Sequence, residues 1–230
     1  MSFLDKLFNN KKENDTSFSF DEKSIESIIK DENIEFVKTK IDSTNFNIED
    51  NLGKKPLYYA CIYKRVDIIT YLFELGSHFD EAKSNKNSSV ISTLINANSI
   101  EVFQIFLDFG YEIETNSLSI IAAAVKTASL EFILYLIKLE LPMSSYLDGF
   151  DKYTPLECAL INQREFLVFK ALIEAKCSLN ESENPAFIIQ LINSTIQSSL
   201  KIKVIKLLHS LDLLDLSIVD ENSNSLIKLA

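Results

Sequence analysis

The stretch Asp50–Asp80, DNLGKKPLYYACIYKRVDIITYLFELGSHFD, decides the fold. Pro56 suits the first turn of a helix, where its missing N–H would have no partner in any case. Leu57, Ala60 and Cys61 follow at i, i+3, i+4 spacing and give that helix one apolar face. Lys64 and Arg65 break the pattern. A second apolar series, Val66, Ile68, Ile69, Leu72 and Phe73, then runs to Gly76, a residue suited to a left-handed helix C-cap. Two short antiparallel helices joined by a tight turn are the reading.

The same template recurs along the chain. Aligning Leu57 with Ile91 brings Leu94 and Ile95, then Val102, Phe103, Phe106 and Leu107, into the same places, with Gly110 under Gly76. Ile121 starts another copy, with Phe132, Ile133, Leu136 and Ile137 on its second helix and Glu140 at the glycine place. Leu156 starts a further one, which gains one residue before Val168, Phe169, Leu172 and Ile173 and ends at Lys176. Ile25, Ile28, Ile29, Phe36 and Val37 form the first copy, and a looser one covers Pro185 to Leu211. Asp220 to Ala230 matches only a loop and a first helix. The end markers Thr44, Gly76, Gly110, Glu140, Lys176 and Leu211 stand 32, 34, 30, 36 and 35 residues apart. A period near 33 means a stacked array, because one helix pair this small cannot bury both of its faces.

Two units carry a more specific mark, Lys55-Pro56-Leu57-Tyr58-Tyr59-Ala60 and Thr154-Pro155-Leu156-Glu157-Cys158-Ala159. These resemble the T-P-L-H-x-A element that opens the first helix of an ankyrin repeat. Both depart at the histidine, where Tyr58 and Glu157 stand. The resemblance covers residues 21–230 and implies an all-α solenoid of about six antiparallel helix pairs, with a C-terminal half repeat whose helix, Ser225 to Ala230, is expected to cap the stack. The charged outer side of the first unit, with Glu22, Lys23, Glu26, Lys30, Glu35 and Lys38, suits the other end. Residues 1–20 lie outside the frame and are read as a flexible N-terminal extension, despite a short amphipathic pattern at Phe3, Leu4, Leu7 and Phe8.

Composition narrows the function. The 230 residues hold only four glycines, Gly53, Gly76, Gly110 and Gly149, where ordinary usage of about 7% would give roughly sixteen. No two stand closer than 23 positions, which excludes a G-x-G-x-x-G fingerprint and a Walker loop. The net charge of −10 disfavours nucleic acid, whose capture is driven by cations. It suits a basic partner, which it would steer. No apolar run approaches the roughly 18 residues of a membrane span, and no secretory pattern opens the chain. Cys61, Cys158 and Cys177 read as reduced core thiols, so a cytoplasmic protein is expected. Neither His78 nor His209 shows metal-ligand spacing with a cysteine. The acidic pairs Asp148/Asp151, Glu181/Glu183 and Asp212/Asp215 lack the EF-hand pattern. No cofactor, metal or enzymatic activity is expected. The richness in Lys, Asn and Ile points to a bacterial-type protein from an AT-rich genome.

In ankyrin-like arrays the loop tips and exposed sides of the first helices line a concave face, and the resemblance implies a protein-binding surface there. By position it comprises Leu52, Lys54, Ile62 and Tyr63 in the motif-bearing unit, then Lys86 and Asn96, then Lys126, then Phe150, Asp151, Tyr153 and Asn162. Tyr63, Phe150 and Tyr153 are the expected aromatic anchors. The function this implies is a protein-interaction module, monomeric on its own. A toxin-neutralising partner and a scaffold subunit of a larger assembly are the narrower alternatives.

Overall fold

The computed structural model describes residues 24–86, 88–113, 120–143, 146–148, 151–179 and 187–214. The N-terminal extension, the proposed Ser225–Ala230 cap and Phe150 lie outside the described residues. Among the described residues twelve α-helices form six consecutive pairs: α1 Ile25–Asp31 with α2 Ile34–Lys40, α3 Pro56–Ile62 with α4 Val66–Glu74, α5 Val90–Ala97 with α6 Ile100–Asp108, α7 Ile120–Thr127 with α8 Leu130–Lys138, α9 Pro155–Ile161 with α10 Phe166–Glu174, and α11 Phe187–Asn193 with α12 Ser198–Ser210. The first helices stack in one row, α1 on α3, α3 on α5, α5 on α7, α7 on α9 and α9 on α11. The second helices form a parallel row behind them. This is the all-α repeat solenoid the period predicts. Among the described residues the additions are a 3-10 turn, Phe79–Ala82, after α4, and a two-stranded antiparallel ribbon before α9, in which Tyr146–Asp148 pairs with Asp151–Tyr153 and Asp148 faces Asp151.

Local chemistry explains where the helices start. Ser24, Asn33, Ser89, Ser99, Ser129 and Thr154 each turn a side-chain oxygen onto the N–H three residues on, satisfying a group the helix leaves unpaired. Pro56 and Pro155 occupy first-turn positions. The core runs unbroken through the stack, from Ile28 and Ile29 through Leu57, Leu94, Ile121 and Leu156 to Leu191. One position differs from the periodic reading: Val66 is 37% exposed, because it opens α4 on the solvent side.

The helix ends are more regular than their residues suggest. Glu140, Lys176 and Leu211 stand where template glycines are missing, so longer or distorted turns are expected there. Instead Glu140 (φ 55°) and Lys176 (φ 60°) adopt the same left-handed conformation as Gly76 and Gly110. At the last pair the left-handed residue is Asp212 (φ 56°), one beyond Leu211. Two backbone bonds fix these turns. Ser77 N–H reaches Leu72 O at 2.9 Å and Gly76 N–H reaches Phe73 O at 3.0 Å. The same pair recurs at Cys177/Lys176 and at Leu213/Asp212. The turns between paired helices repeat the device at Lys64 and Gln163, and Asn98 takes the same positive φ with its own N–H bonded to Leu94 O and Ile95 O. The bonds satisfy carbonyls that a helix end otherwise leaves open.

Candidate partner-binding surface

Because each first helix buries one face against both neighbours, its remaining face lines one side of the array. Ile62, Asn96, Lys126 and Ile161 occupy the same place in four successive units. Asn96 is exposed, Ile62 and Lys126 are half-buried, and Ile161 is 56% exposed. The loop tip before α3 adds Leu52, 71% exposed, the most open large apolar side chain among the described residues. Lys86 is exposed on the next loop. Exposed apolar groups set among polar ones are what a protein interface offers before it is occupied.

The aromatic positions behave differently from free anchors. The Tyr63 hydroxyl donates to the Glu26 carboxylate of the preceding unit, and the Lys30 ammonium lies 5.5 Å from its ring centre. The hydrogen bond to Glu26 raises the Tyr63 hydroxyl above its ordinary pKa. Tyr63 is therefore half-spent on the junction between the first two units. Tyr153 is half-buried and packed against the core. Asp151 is placed by its backbone alone, in the ribbon, and Asn162 is exposed but donates its side-chain amide to Cys158 O at 2.8 Å.

A polar cluster that the sequence did not single out sits beside Leu52. Asp50 Oδ1 accepts the N–H groups of Leu52 (2.8 Å) and Lys54 (2.9 Å), and Asp50 Oδ2 accepts the Tyr59 hydroxyl. The Lys54 ammonium lies 4.9 Å from the Tyr58 ring centre and 5.8 Å from that of Tyr59. Burial pushes the Asp50 carboxyl up, but the three hydrogen bonds outweigh it and hold the group below the usual carboxylate range. Burial and the Asp50 contact both push the Tyr59 hydroxyl well up. The loop is thus held rigid, and it presents Leu52 and Tyr58 on a fixed frame.

Polar ties also lock unit to unit. Arg65 donates through one terminal nitrogen to Ile29 O and Glu32 O, each at 2.8 Å. Arg164 donates to Val125 O and Ala128 O, each at 2.6 Å. Asn98 Oδ1 accepts Ser129 N–H at 2.9 Å and the Ser129 hydroxyl at 3.1 Å. At Thr154 a full capping box forms. The Thr154 oxygen accepts Glu157 N–H (3.2 Å), Glu157 Oε2 accepts Thr154 N–H (2.7 Å), and Glu157 Oε1 accepts the Gln190 amide of the next unit (2.6 Å). Glu157, only 1% exposed, holds the motif's histidine place and bonds both its own cap and its neighbour.

No family model matches the chain, and no curated protein matches it. Among solved structures, the human ASB11 ankyrin repeat domain superposes with a TM-score of 0.66 at 22% identity, covering 90% of this chain and 91% of that one. The ankyrin repeat domain of Bcl-3, described as a unique member of the IkappaB protein family, gives 0.69 at 15% identity over 90% and 93%. The fold is that of an ankyrin-repeat domain. The ankyrin reading of the two Pro-Leu motifs therefore extends to the units that carry no motif. All three cysteines are buried and none forms a disulfide. Among the described residues no group of three or more His, Cys, Asp or Glu could hold a metal ion. None of the described helices is long and apolar enough to cross a membrane.

Proposed function

We propose that this ankyrin-repeat array is a protein-interaction module whose contact face is the exposed side of the first helices with their loop tips. The observation that carries this reading is the exposure of Leu52 and Ile161, at 71% and 56%, on a face that also bears the exposed polar side chains of Lys86, Asn96 and Asn162. Large apolar groups held open on a rigid frame lose little entropy on binding. The wider expected set, Lys54, Ile62, Tyr63, Lys86, Asn96, Lys126, Tyr153 and Asn162, would serve as rim and support. The protein acts by presenting a preformed surface in the cytoplasm, without chemistry of its own. The test uses the tagged chain as bait in its native cell. Leu52→Asp with Ile161→Asp should abolish capture of a partner that the natural chain retains. Undiminished capture by this double variant, with its thermal unfolding unchanged, would discard the face.

A basic partner is the second reading, and one observation favours it. Helices α4 and α6 carry exposed Asp67, Glu74, Glu101 and Asp108 and contain no Lys or Arg. Such a field raises association rates with a cationic protein, as a toxin-neutralising role would require, and salt screens it. An association rate that stays constant between low and high salt would exclude this version.

A further inference from the structure

The outer side of the second helices, turned away from the proposed contact face, carries its charges in order. From α6 to α12, the residues nine, six and two places before each left-handed cap are all exposed and share one helix face. On α6 they are Glu101, Gln104 and Asp108, with no cation. On α12 they are Lys203, Lys206 and Ser210, with no anion. Between these ends stand two open leucines, Leu134 on α8 and Leu167 on α10, 47% and 53% exposed. Lys138 and Glu174 flank them. The row is tied together beneath this face. Phe103 lies 5.7 Å from Phe132, and the Tyr135 hydroxyl donates to Gln104 at 2.7 Å.

We propose that a second copy of this chain covers the face, as a twofold-symmetric dimer in place of the monomer expected from the sequence. The charge order decides the arrangement. A twofold axis parallel to the helices, between α8 and α10, sets α6 against the partner's α12 and α8 against the partner's α10. Glu101 then meets the partner's Lys203, and Lys138 meets the partner's Glu174. Leu134 and Leu167 fall at the centre, and no like charges are opposed. Other placements fail on this count. An axis over α8 sets Glu131 and Lys138 each against its own copy, and one over α10 does the same to Lys170 and Glu174. An axis running along the array sets the acidic α6 against itself. Unlike charges that select one register also exclude the wrong ones. The ion pair already on the face, Lys170 with Glu174 at 3.7 Å, is exposed and contributes little by itself. Four helices about 10 Å apart and about 13 Å long offer roughly 500 Å² a side. That is the low end for a specific complex, so the dimer is a weak one.

Sedimentation velocity of the natural full chain, raised into the high-micromolar range, should show the dimer. A chain that stays monomeric throughout overturns it. Glu101→Lys and Lys203→Glu should each weaken dimerisation by at least about tenfold, since each reversal is met twice across the axis. The two together in one chain should restore it, because the pair is only exchanged. Single variants that dimerise like the natural chain overturn the face. A double variant that stays monomeric, with thermal unfolding unchanged, overturns the pairing. If a reversal loses the fold, a mixture decides. Leu134→Cys chains mixed with Lys170→Cys chains under mild oxidation should form a disulfide between the two kinds of chain, and its absence overturns the dimer. Poly-lysine bound by a monomeric natural chain, and released by Glu101→Lys, gives α6 to a foreign basic protein and overturns the dimer equally. None of these outcomes touches the contact face of the first helices, since Leu52 and Ile161 take no part.

Discussion

Arg65 and Arg164 stand at the same place in two different repeats and make the same grip. Each reaches back across a unit boundary and bonds a pair of carbonyls at the end of the preceding first helix, Ile29 and Glu32 in one case and Val125 and Ala128 in the other. Each also has a carboxylate at hand, Asp67 at 3.0 Å and Glu165 at 3.5 Å. The grip closes two helix ends that would otherwise leave carbonyls unpaired. Arg65→Met and Arg164→Met should each cost about 2–3 kcal/mol in urea unfolding, since a charge-assisted bond is lost and part-buried acceptors are stranded. Lysine at either position should recover only part of this, for it lacks the planar fork. A cost below about 0.5 kcal/mol would show that water satisfies those carbonyls.

The left-handed caps at Glu140 and Lys176 carry a side chain where the backbone prefers none. Glu140→Gly and Lys176→Gly should therefore stabilise the fold by about 0.5–1 kcal/mol each. Gly76→Ala should destabilise it by about 1 kcal/mol. An added Cβ there meets nothing within 4 Å, so at φ +101° the cost is conformational and not a clash. Thermal unfolding of the three variants checks the signs.

Glu157 joins two repeats through one carboxyl group. Glu157→Ala should cost about 2 kcal/mol, the sum of a lost cap and a stranded amide. Gln190→Ala should cost less. A double-mutant cycle should give a coupling of about 0.5–1 kcal/mol. Strict additivity would mean that the bond between the two side chains contributes nothing in solution.

Asp50 and Tyr59 make the loop before α3 sensitive to pH in both directions. The folded Asp50 carboxyl lies below its ordinary value. Its contribution is therefore fully present above the unfolded carboxylate pKa of about 3.9 and is lost as pH falls through the folded value. Tyr59 is raised, so its contribution holds below the unfolded tyrosine pKa of about 10 and drains away as pH rises beyond it. Asp50→Asn should lower stability at neutral pH by about 1 kcal/mol and flatten its decline below pH 4. Tyr59→Phe should flatten the decline above pH 10. Unfolding curves across that range that run parallel to those of the natural chain would contradict the assignment.

Six helix pairs were legible because burial in a stack imposes a period that survives residue changes. Ile28, Leu57, Leu94, Ile121 and Leu156 are all essentially inaccessible where the frame puts them. Four of the caps were legible as positions, Gly76, Gly110, Glu140 and Lys176, while the last stands at Asp212, one beyond Leu211; the conformations at the non-glycine caps were not legible. Glutamate and lysine seldom enter the left-handed region, and only the backbone bonds of the turn, two at Lys176 and one at Glu140, reveal why they do so here. The arginine grips stayed hidden for a different reason. Lys64-Arg65 reads locally as the end of an apolar pattern, and Arg164 lies where its repeat gains a residue. Their shared role lies in carbonyls of another unit, which no single repeat displays. Tyr63 was legible as an aromatic on the contact face, but its bond to Glu26 depends on the neighbouring helix.

A turn held by two backbone hydrogen bonds makes few demands on the residue at its apex. Gly76, Gly110, Lys176 and Asp212 all serve there, and Glu140 holds the same conformation with one of the two bonds. Each replacement of glycine costs the array a small, local amount that a long continuous core absorbs. Such a chain can drift one apex at a time until little of its consensus remains, while the stacking that defines its shape persists. Descent in an array of this kind would be traced better through the spacing of its turns than through the letters that occupy them.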